Sequence, residues 1–405
     1  MPPNEGWSTS RRALCVVLVL LTLAYFGWLA RNPIVDAAEW TADQVASAGD
    51  TWEDWSTRLQ RMADEATEAE IEERTGDAVS QSVLIVVGSS ADDAAFVLVA
   101  LSPDADATVT LVPQSTYAML PGYGEALLAE AMDYEGADLL ELAVINLLGI
   151  RVDHVLELPT GSLAEAIGGP ITIDLPVPLF EEDEQGVTNR VFDDGVQEVS
   201  AESIELLLVE PGIGDPFEWL QRQGAAWRGI FSSIEADEAI ADRVGLGGFG
   251  GGQEVADLLL AVALSDDYSL TSLPVEVPEA GDPSTFVLPT GEVQAYVAGR
   301  FGHLLLREGE RPRLEILNGN GRIGTARPVA DLLVRLGFRV VRTDNADRFD
   351  YETTQVIAQG EDAEDAAREV ALALGTESVF VELRLPSGVV DVSIIVGLDM
   401  PAGEG

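Results

Sequence analysis

Lysine does not occur in this 405-residue chain, cysteine occurs once and histidine twice. A single thiol, Cys15, can form no disulfide within the chain, and with two histidines it cannot complete a three-ligand His/Cys metal site. Classical zinc hydrolysis is therefore excluded, and Cys-His catalysis as well, because Cys15 sits in an apolar run. Positive charge is also scarce: 23 basic residues, all Arg, face 70 acidic ones, for a formal net charge of -47. Nucleic acid needs clustered cations to replace its counterions, so it is not an expected partner, and anionic lipid heads are disfavoured likewise. An acid-rich surface suits solubility or a saline medium and names no substrate. Apolar residues, by contrast, make up 47% of the chain, enough for two or three domain cores at this length.

Residues 13–30 are 18 uncharged, mostly apolar residues, about the shortest run able to cross a bilayer as a helix. Arg11 and Arg12 precede the run and Arg31 follows it, which favours a cytoplasmic N-terminus at residues 1–12. Tyr25, Phe26 and Trp28 suit an interfacial belt near the far end. A cleaved signal peptide is the competing reading, with Val35-Asp36-Ala37 as its weak cleavage site. The expected location is thus the plasma membrane, single-pass, with the bulk extracytoplasmic. In the spacer at 31–79, Val45, Ala48, Trp52, Trp55, Leu59, Met62, Ala66 and Ala69 draw one helical stripe. That stripe could pair with a copy of itself through residues 45–69 as a homodimer, or lie against the next domain.

From residue 80 to 268, short apolar runs at 82–87, 95–101, 109–112, 155–158 and 171–175 read as buried strands. A helical pattern spans 126–148, and a longer one runs from 215 to 244. The alternation predicts an α/β sandwich. The Gly-rich GLGGFGGG at 245–252 has no Lys-Ser/Thr after it, so it is no phosphate-cradling loop and reads as a flexible connector. Five prolines between 274 and 312 mark a linker, 269–312, with one helix starting near Thr290. Residues 313–400 read as a small α/β domain: strands at 313–317, 338–342, 354–358, 379–383 and 389–396, with helices at 325–336 and 363–374.

The middle region resembles the LytR-CpsA-Psr family in an ordered set of motifs. These are SVLIVVGSS from 82, Pro113-Gln114-Ser115-Thr116-Tyr117, Pro121-Gly122-Tyr123-Gly124, NLLGIRVDHVLEL at 146–158, Ile167-Gly168-Gly169, Gly195-x-Gln197, and Asp215 through Arg222-Gln223. The resemblance implies a membrane-anchored enzyme that moves glycopolymers from polyprenyl pyrophosphate carriers to the cell wall. It also implies a ring of Arg and a carboxylate-held magnesium ion around the diphosphate. This chain departs from that ring. Gln114 and Ser115 stand in place of Arg and Asp, Asp92 in place of Arg, and Ala94 in place of Asp. Val209 and Trp219 occupy two more Arg positions, and Arg222 is retained. A neutral amide cannot replace a forked cation that pairs two phosphate oxygens at once. Between residues 80 and 299 five Arg face 38 acidic residues, so a diphosphate would meet a repelling field.

Two readings follow. In one, the fold persists as a non-catalytic scaffold or cell-wall binding and assembly module without a cofactor. In the alternative, Asp92, Asp93 and Asp215 hold Mg2+ and Arg222 completes a reduced transferase site. Paired acids such as Asp92-Asp93 more commonly mark a solvated turn, and His154 a structural hydrogen bond. The segment 313–400 resembles the LytR-type C-terminal domain through LEILNGNGRIGTA at 314–326, LLVRLGFRV at 332–340, Asn345-Ala346 and DVSIIVGLD at 391–399. Its turn, Asn318, Gly319, Asn320, Gly321 and Arg322, could seat an anion on free backbone N–H groups, although turn geometry alone explains the glycines. Cell-wall glycopolymer or other envelope proteins are the expected partners.

Overall fold

The computed structural model describes residues 81–400 except 184, 266–267, 280, 376–380 and 384–387. The expected membrane helix at 13–30, the spacer at 31–79 and the pairing stripe at 45–69 lie outside the described residues. Among the described residues no helix is long and apolar enough to cross a membrane.

The chain begins as a meander, β1 (Gln81–Val87), β2 (Ala95–Leu101) and β3 (Ala107–Val112), followed by the hairpin β4 (Tyr117–Leu120) and β5 (Gly124–Leu127). Helices α1 (Ala131–Tyr134) and α2 (Ala137–Leu148) lead to β6 (His154–Leu158), then α3 (Ser162–Ile167), β7 (Ile171–Leu175), β8 (Leu179–Glu182), β9 (Thr188–Phe192) and β10 (Gly195–Val199). Four helices follow: α4 (Ala201–Val209), α5 (Pro216–Ala236), α6 (Ala239–Gly247) and α7 (Gln253–Ala263). After β11 (Ser269–Ser272) and α8 (Thr290–Arg300) come β12 (Arg313–Asn318), α9 (Ala326–Arg335), β13 (Arg339–Asn345), β14 (Gln355–Ala358), α10 (Glu364–Ala373), β15 (Val381–Leu383) and β16 (Val392–Val396).

Strands β1 to β3, β6 and β11 form one mixed sheet in the order β11-β3-β2-β1-β6. Strand β2 is apolar along its whole length, and β1 from Val83 to Val87, because both faces are covered. Val83, Ile85, Val97, Val99 and Val109 pack on the layer of α3 to α7, whereas Leu84, Val86, Phe96 and Leu98 face α2. The second sheet runs β13-β12-β16-β14-β15, parallel except where β14 meets β16, with α9 and α10 on one face. The described residues thus form a mixed α/β fold with two five-stranded sheets and three two-stranded ones. Helix α2 lies between the two larger sheets, and one apolar core runs continuously from Leu84 through Leu140 to Leu333 and Val392.

Two segments expected as connectors are ordered parts of the fold, and the helical pattern at 126–148 begins instead in β5 and divides into α1 and α2. The region 269–312, expected as a linker, contributes β11 to the first sheet, parallel to β3, and α8 beneath it. Tyr296 on α8 shares its hydroxyl with Thr110 and Thr271, and Phe286 and Phe301 are fully buried. GLGGFGGG is no loose connector either. Phe249 exchanges both backbone hydrogen bonds with Glu157 of β6, at 2.9 and 3.0 Å, and so covers that strand's free edge. A Cβ on Gly250 would come within 2.2 Å of the Val155 carbonyl, so the glycines are what lets this loop lie on the strand.

Candidate functional site

Because β1, β3, β6 and β11 run in parallel, their C-terminal ends share one edge of the sheet, where ligands of α/β folds commonly sit. The turn 88–94, the segment 113–116 and Thr160 all lie there. The motif after β3 is held on both sides. Gln114 and Thr116 accept from Ala129 and Leu128, and the Ser115 carbonyl accepts from Phe286.

At the centre of this edge Gln114 is 6% exposed, and its Oε1 accepts from Gln223 Nε2 of α5 at 3.4 Å. Gln223 also donates to the Leu208 carbonyl at 2.6 Å. Arg222, adjacent on α5, is buried and turns the other way. It donates to the Pro178 carbonyl at 3.3 Å and the Pro211 carbonyl at 2.5 Å, while its Nε has no partner. Burial lowers its pKa, partly offset by Glu218 and Glu210. The guanidinium that the resemblance implies for a diphosphate therefore braces two Pro-containing loops instead. Trp219 is buried with its Nε1 unpartnered, as is the hydroxyl of Thr116, and Val209 ends α4 against the core.

Asp92 is exposed and Ala94 is completely buried. Asp93 does the local work. One carboxylate oxygen accepts from the backbones of Ser89 and Ser90 and from the Ser90 hydroxyl, and the other accepts from Thr160 at 2.8 Å. Burial pushes its pKa up, but these hydrogen bonds outweigh it and hold the carboxyl at about 2. Asp215 caps α5 by accepting from Phe217. Magnesium fits this set poorly: Asp93 already has four donors, Asp215 faces a helix N-terminus, and Asp92 stands alone. Among the described residues no three His, Cys, Asp or Glu groups are arranged for a metal ion. His154 lies 3.4 Å from Glu254, a contact between β6 and α7.

Between α5 and the β11 end of the first sheet opens a groove of about 520 Å³, which the sequence reading did not anticipate. Leu111, Phe217, Leu220, Leu273 and Val275 line it, and Arg228 stands at its rim. Gly224 on α5 keeps the floor open, since a Cβ there would sit 3.3 Å from Leu270. Only the spacing of 217, 220, 224 and 228 on one helical face hinted at it.

In the second sheet's unit, the Asn318 to Arg322 turn uses its own donors. Asn318 Oδ1 accepts from the backbones of Asn320 and Gly321, and Asn320 Oδ1 accepts from the backbone of Arg322 and the Thr325 hydroxyl. Three N–H groups expected to meet an anion are thus occupied by Asx turns. Thr354, read as an ordinary strand residue, precedes β14. It is buried and donates its N–H and hydroxyl to Asp399 at 2.8 Å, which pins the C-terminal loop.

Residues 311–399 match the family model described as LytR cell envelope-related transcriptional attenuator. The C-terminal unit is a LytR C-terminal domain. No curated protein matches the chain. Among solved structures the chain is similar to B. subtilis TagV (15% identity, 56% of this chain and 98% of that one, TM-score 0.44). It is also similar to a LytR-Csp2A-Psr enzyme from Actinomyces oris (17%, 54% and 89%, TM-score 0.42) and to TagT bound to LI-WTA (20%, 56% and 90%, TM-score 0.41).

The LytR C-terminal domain is clamped to the middle domain by side chains of α2. Asn146, buried, accepts from the Val340 N–H at 2.8 Å and donates to the Val340 carbonyl at 2.9 Å. It thereby pairs the free edge of β13 as a neighbouring strand would. Glu141 receives both nitrogens of Arg335 at 2.9 and 3.2 Å, and these bonds with Asp331 raise the Arg pKa despite its burial. Arg311 donates to the carbonyls of Asn146, Gly337 and Phe338, and burial lowers its pKa to about 9. The Pro121-Gly122-Tyr123-Gly124 motif serves the same seam. Gly122, at φ +93°, lets the hairpin touch Arg327, whose Cα would lie 2.8 Å from a Cβ. Tyr123 donates to Glu135, which also accepts from Arg327, and burial beside Glu135 pushes the phenol up to about 12.

Proposed function

We propose that this chain is a membrane-anchored, extracytoplasmic cell-envelope protein whose middle domain is a non-catalytic binding or assembly scaffold for cell-wall glycopolymer. One observation carries the reading. At the sheet edge where a diphosphate would need converging cations, Gln114 is paired with Gln223, and the retained Arg222 donates to the Pro178 and Pro211 carbonyls. A neutral amide supplies no charge, and each absent charge-assisted contact removes about 1.5 to 3 kcal/mol. The loss of several such contacts lowers affinity by orders of magnitude.

A second reading, residual transfer from a polyprenyl pyrophosphate carrier, draws support from the apolar groove with Arg228 at its rim. Incubating the full-length protein with a lipid-pyrophosphate glycan and an acceptor wall polymer separates the two. The scaffold reading expects no turnover with or without magnesium, and transfer of the glycan to the acceptor by the unmodified protein, with release of the lipid phosphate or diphosphate, would overturn it. The variant Gln114→Arg with Ser115→Asp tests whether the remaining walls still fit the diphosphate: the scaffold reading expects measurable lipid-diphosphate binding to return.

A further inference from the structure

Three described Arg residues, Arg228, Arg322 and Arg339, have no hydrogen bond or ion pair on their guanidinium among the described residues. Arg228 and Arg322 are exposed, where a solvated cation needs no partner. Arg339 is half-buried, and burial lowers its pKa. It stands directly beside Arg313 in the parallel register of β12 and β13, and like charges side by side on a sheet are unfavourable. Its neighbour Val340 faces the core, so Arg339 lies on the sheet face that carries no helix.

The charges around it do not cancel. Asp391 is fully engaged by Arg313, whose Nε and Nη2 donate to its two oxygens, and the Arg313 backbone N–H donates to it as well. Glu310 also acts on Arg313, while Arg313 is the charge that acts on Arg339. Arg311, next to Arg339, binds carbonyls and no carboxylate. Its contact with the Asn146 carbonyl at the C-terminal end of α2 brings in a helix dipole worth about half a negative charge. Set against Asp391, Glu310 and the helix end, the three guanidinium charges leave about half a positive charge over, in a chain of net charge -47.

We propose that Arg339, with Arg311 and Arg313 beside it, is an anion-binding site on the LytR C-terminal domain that takes a phosphate group. A phosphate monoester, with three acceptor oxygens and about -1.5 to -2 charge at neutral pH, would gain more beside these three guanidinium groups than a single carboxylate. The open guanidinium fork of Arg339 can pair two of its oxygens. This site lies in the other domain from the edge bearing Gln114, and it stands whether or not the middle domain turns over a substrate.

Titration of the full-length protein in detergent with inorganic phosphate and with glycerol 3-phosphate, at constant ionic strength with acetate as the control, tests it. Thermal unfolding and calorimetric affinity are the readouts. Phosphate should raise the Tm of the unmodified protein, and Arg339→Gln should abolish that rise and weaken binding by about tenfold or more. Arg322→Gln should bind as the unmodified protein does, and Arg339→Lys should keep part of the affinity. Tighter binding of glycerol 3-phosphate assigns an esterified phosphate as the ligand, and tighter binding of the free ion assigns inorganic phosphate; either supports the site. A phosphate effect no larger than that of acetate, or one that survives intact in Arg339→Gln, would overturn it.

Discussion

Replacing Asn146 with Ala removes both partners of the Val340 backbone at once. Each buried, unpaired backbone group costs about 1 to 3 kcal/mol, so the orphaned N–H and carbonyl together cost about 2 to 6 kcal/mol. Deleting the amide also opens a small cavity between α2 and β13, which adds to the loss. Because Asn146 is 3% exposed, water cannot readily take over either bond. Amide exchange gives the sharpest readout, since the Val340 N–H is itself the donor to Asn146. Protection of that amide in the full-length protein should fall by about a hundredfold or more, with a parallel loss in urea midpoint. Asn146→Leu fills most of the space and still orphans both groups, so it should recover little. If Asn146→Ala leaves Val340 protection within threefold of the parent, or if Leu restores stability fully, the clamp is ordinary packing and the argument fails.

Further expectations concern single contacts. Asp93 titrates near 2, below its ordinary 3.8, so its stabilisation is complete above about pH 4 and disappears as pH falls through 2. Asp93→Asn should cost about 1 kcal/mol at pH 7, discounted for solvent screening, with the gap closing toward pH 2; a gap independent of pH in acid unfolding would contradict this. Gly122→Val should destabilise by about 2 kcal/mol or more, because positive φ and the Arg327 backbone both oppose a side chain; calorimetry showing a loss below 0.5 kcal/mol would count against the close approach. A double-mutant cycle on Glu141→Gln and Arg335→Gln should give a coupling of about 1 to 3 kcal/mol that 0.5 M salt barely reduces. Coupling near zero would place that pair with ordinary surface ion pairs.

Much of the local structure was legible because periodicity and turn residues depend on neighbours in sequence. The runs at 95–101 and 171–175 became β2 and β7 with unchanged bounds, and the second domain's strand and helix order held. The pattern from 215 to 244 became two helices, broken after Ala236, since Asp237 and Glu238 end one and start the next. Helix α7 escaped notice because the preceding glycines read as a flexible connector, although they serve a backbone contact with β6. The site was legible only in part. That Gln114 and Ser115 lack charge is a matter of composition, but the direction in which Arg222 points is fixed by Pro178 and Pro211, 44 and 11 residues away. Asn146 had a faint signal, an amide inside the apolar AVINLLG.

The order of residues thus decided the apolar strands, the identity of the C-terminal unit and the shortage of cations, because each follows from side-chain chemistry and local spacing. Only the folded chain decided that the proline-rich stretch belongs to the first sheet, that α2 clasps β13, and that Arg339 stands beside Arg313 without a counter-charge. Such pairings join residues far apart in sequence. Their energies depend on burial and mutual orientation, which exist once the two sheets have closed on α2.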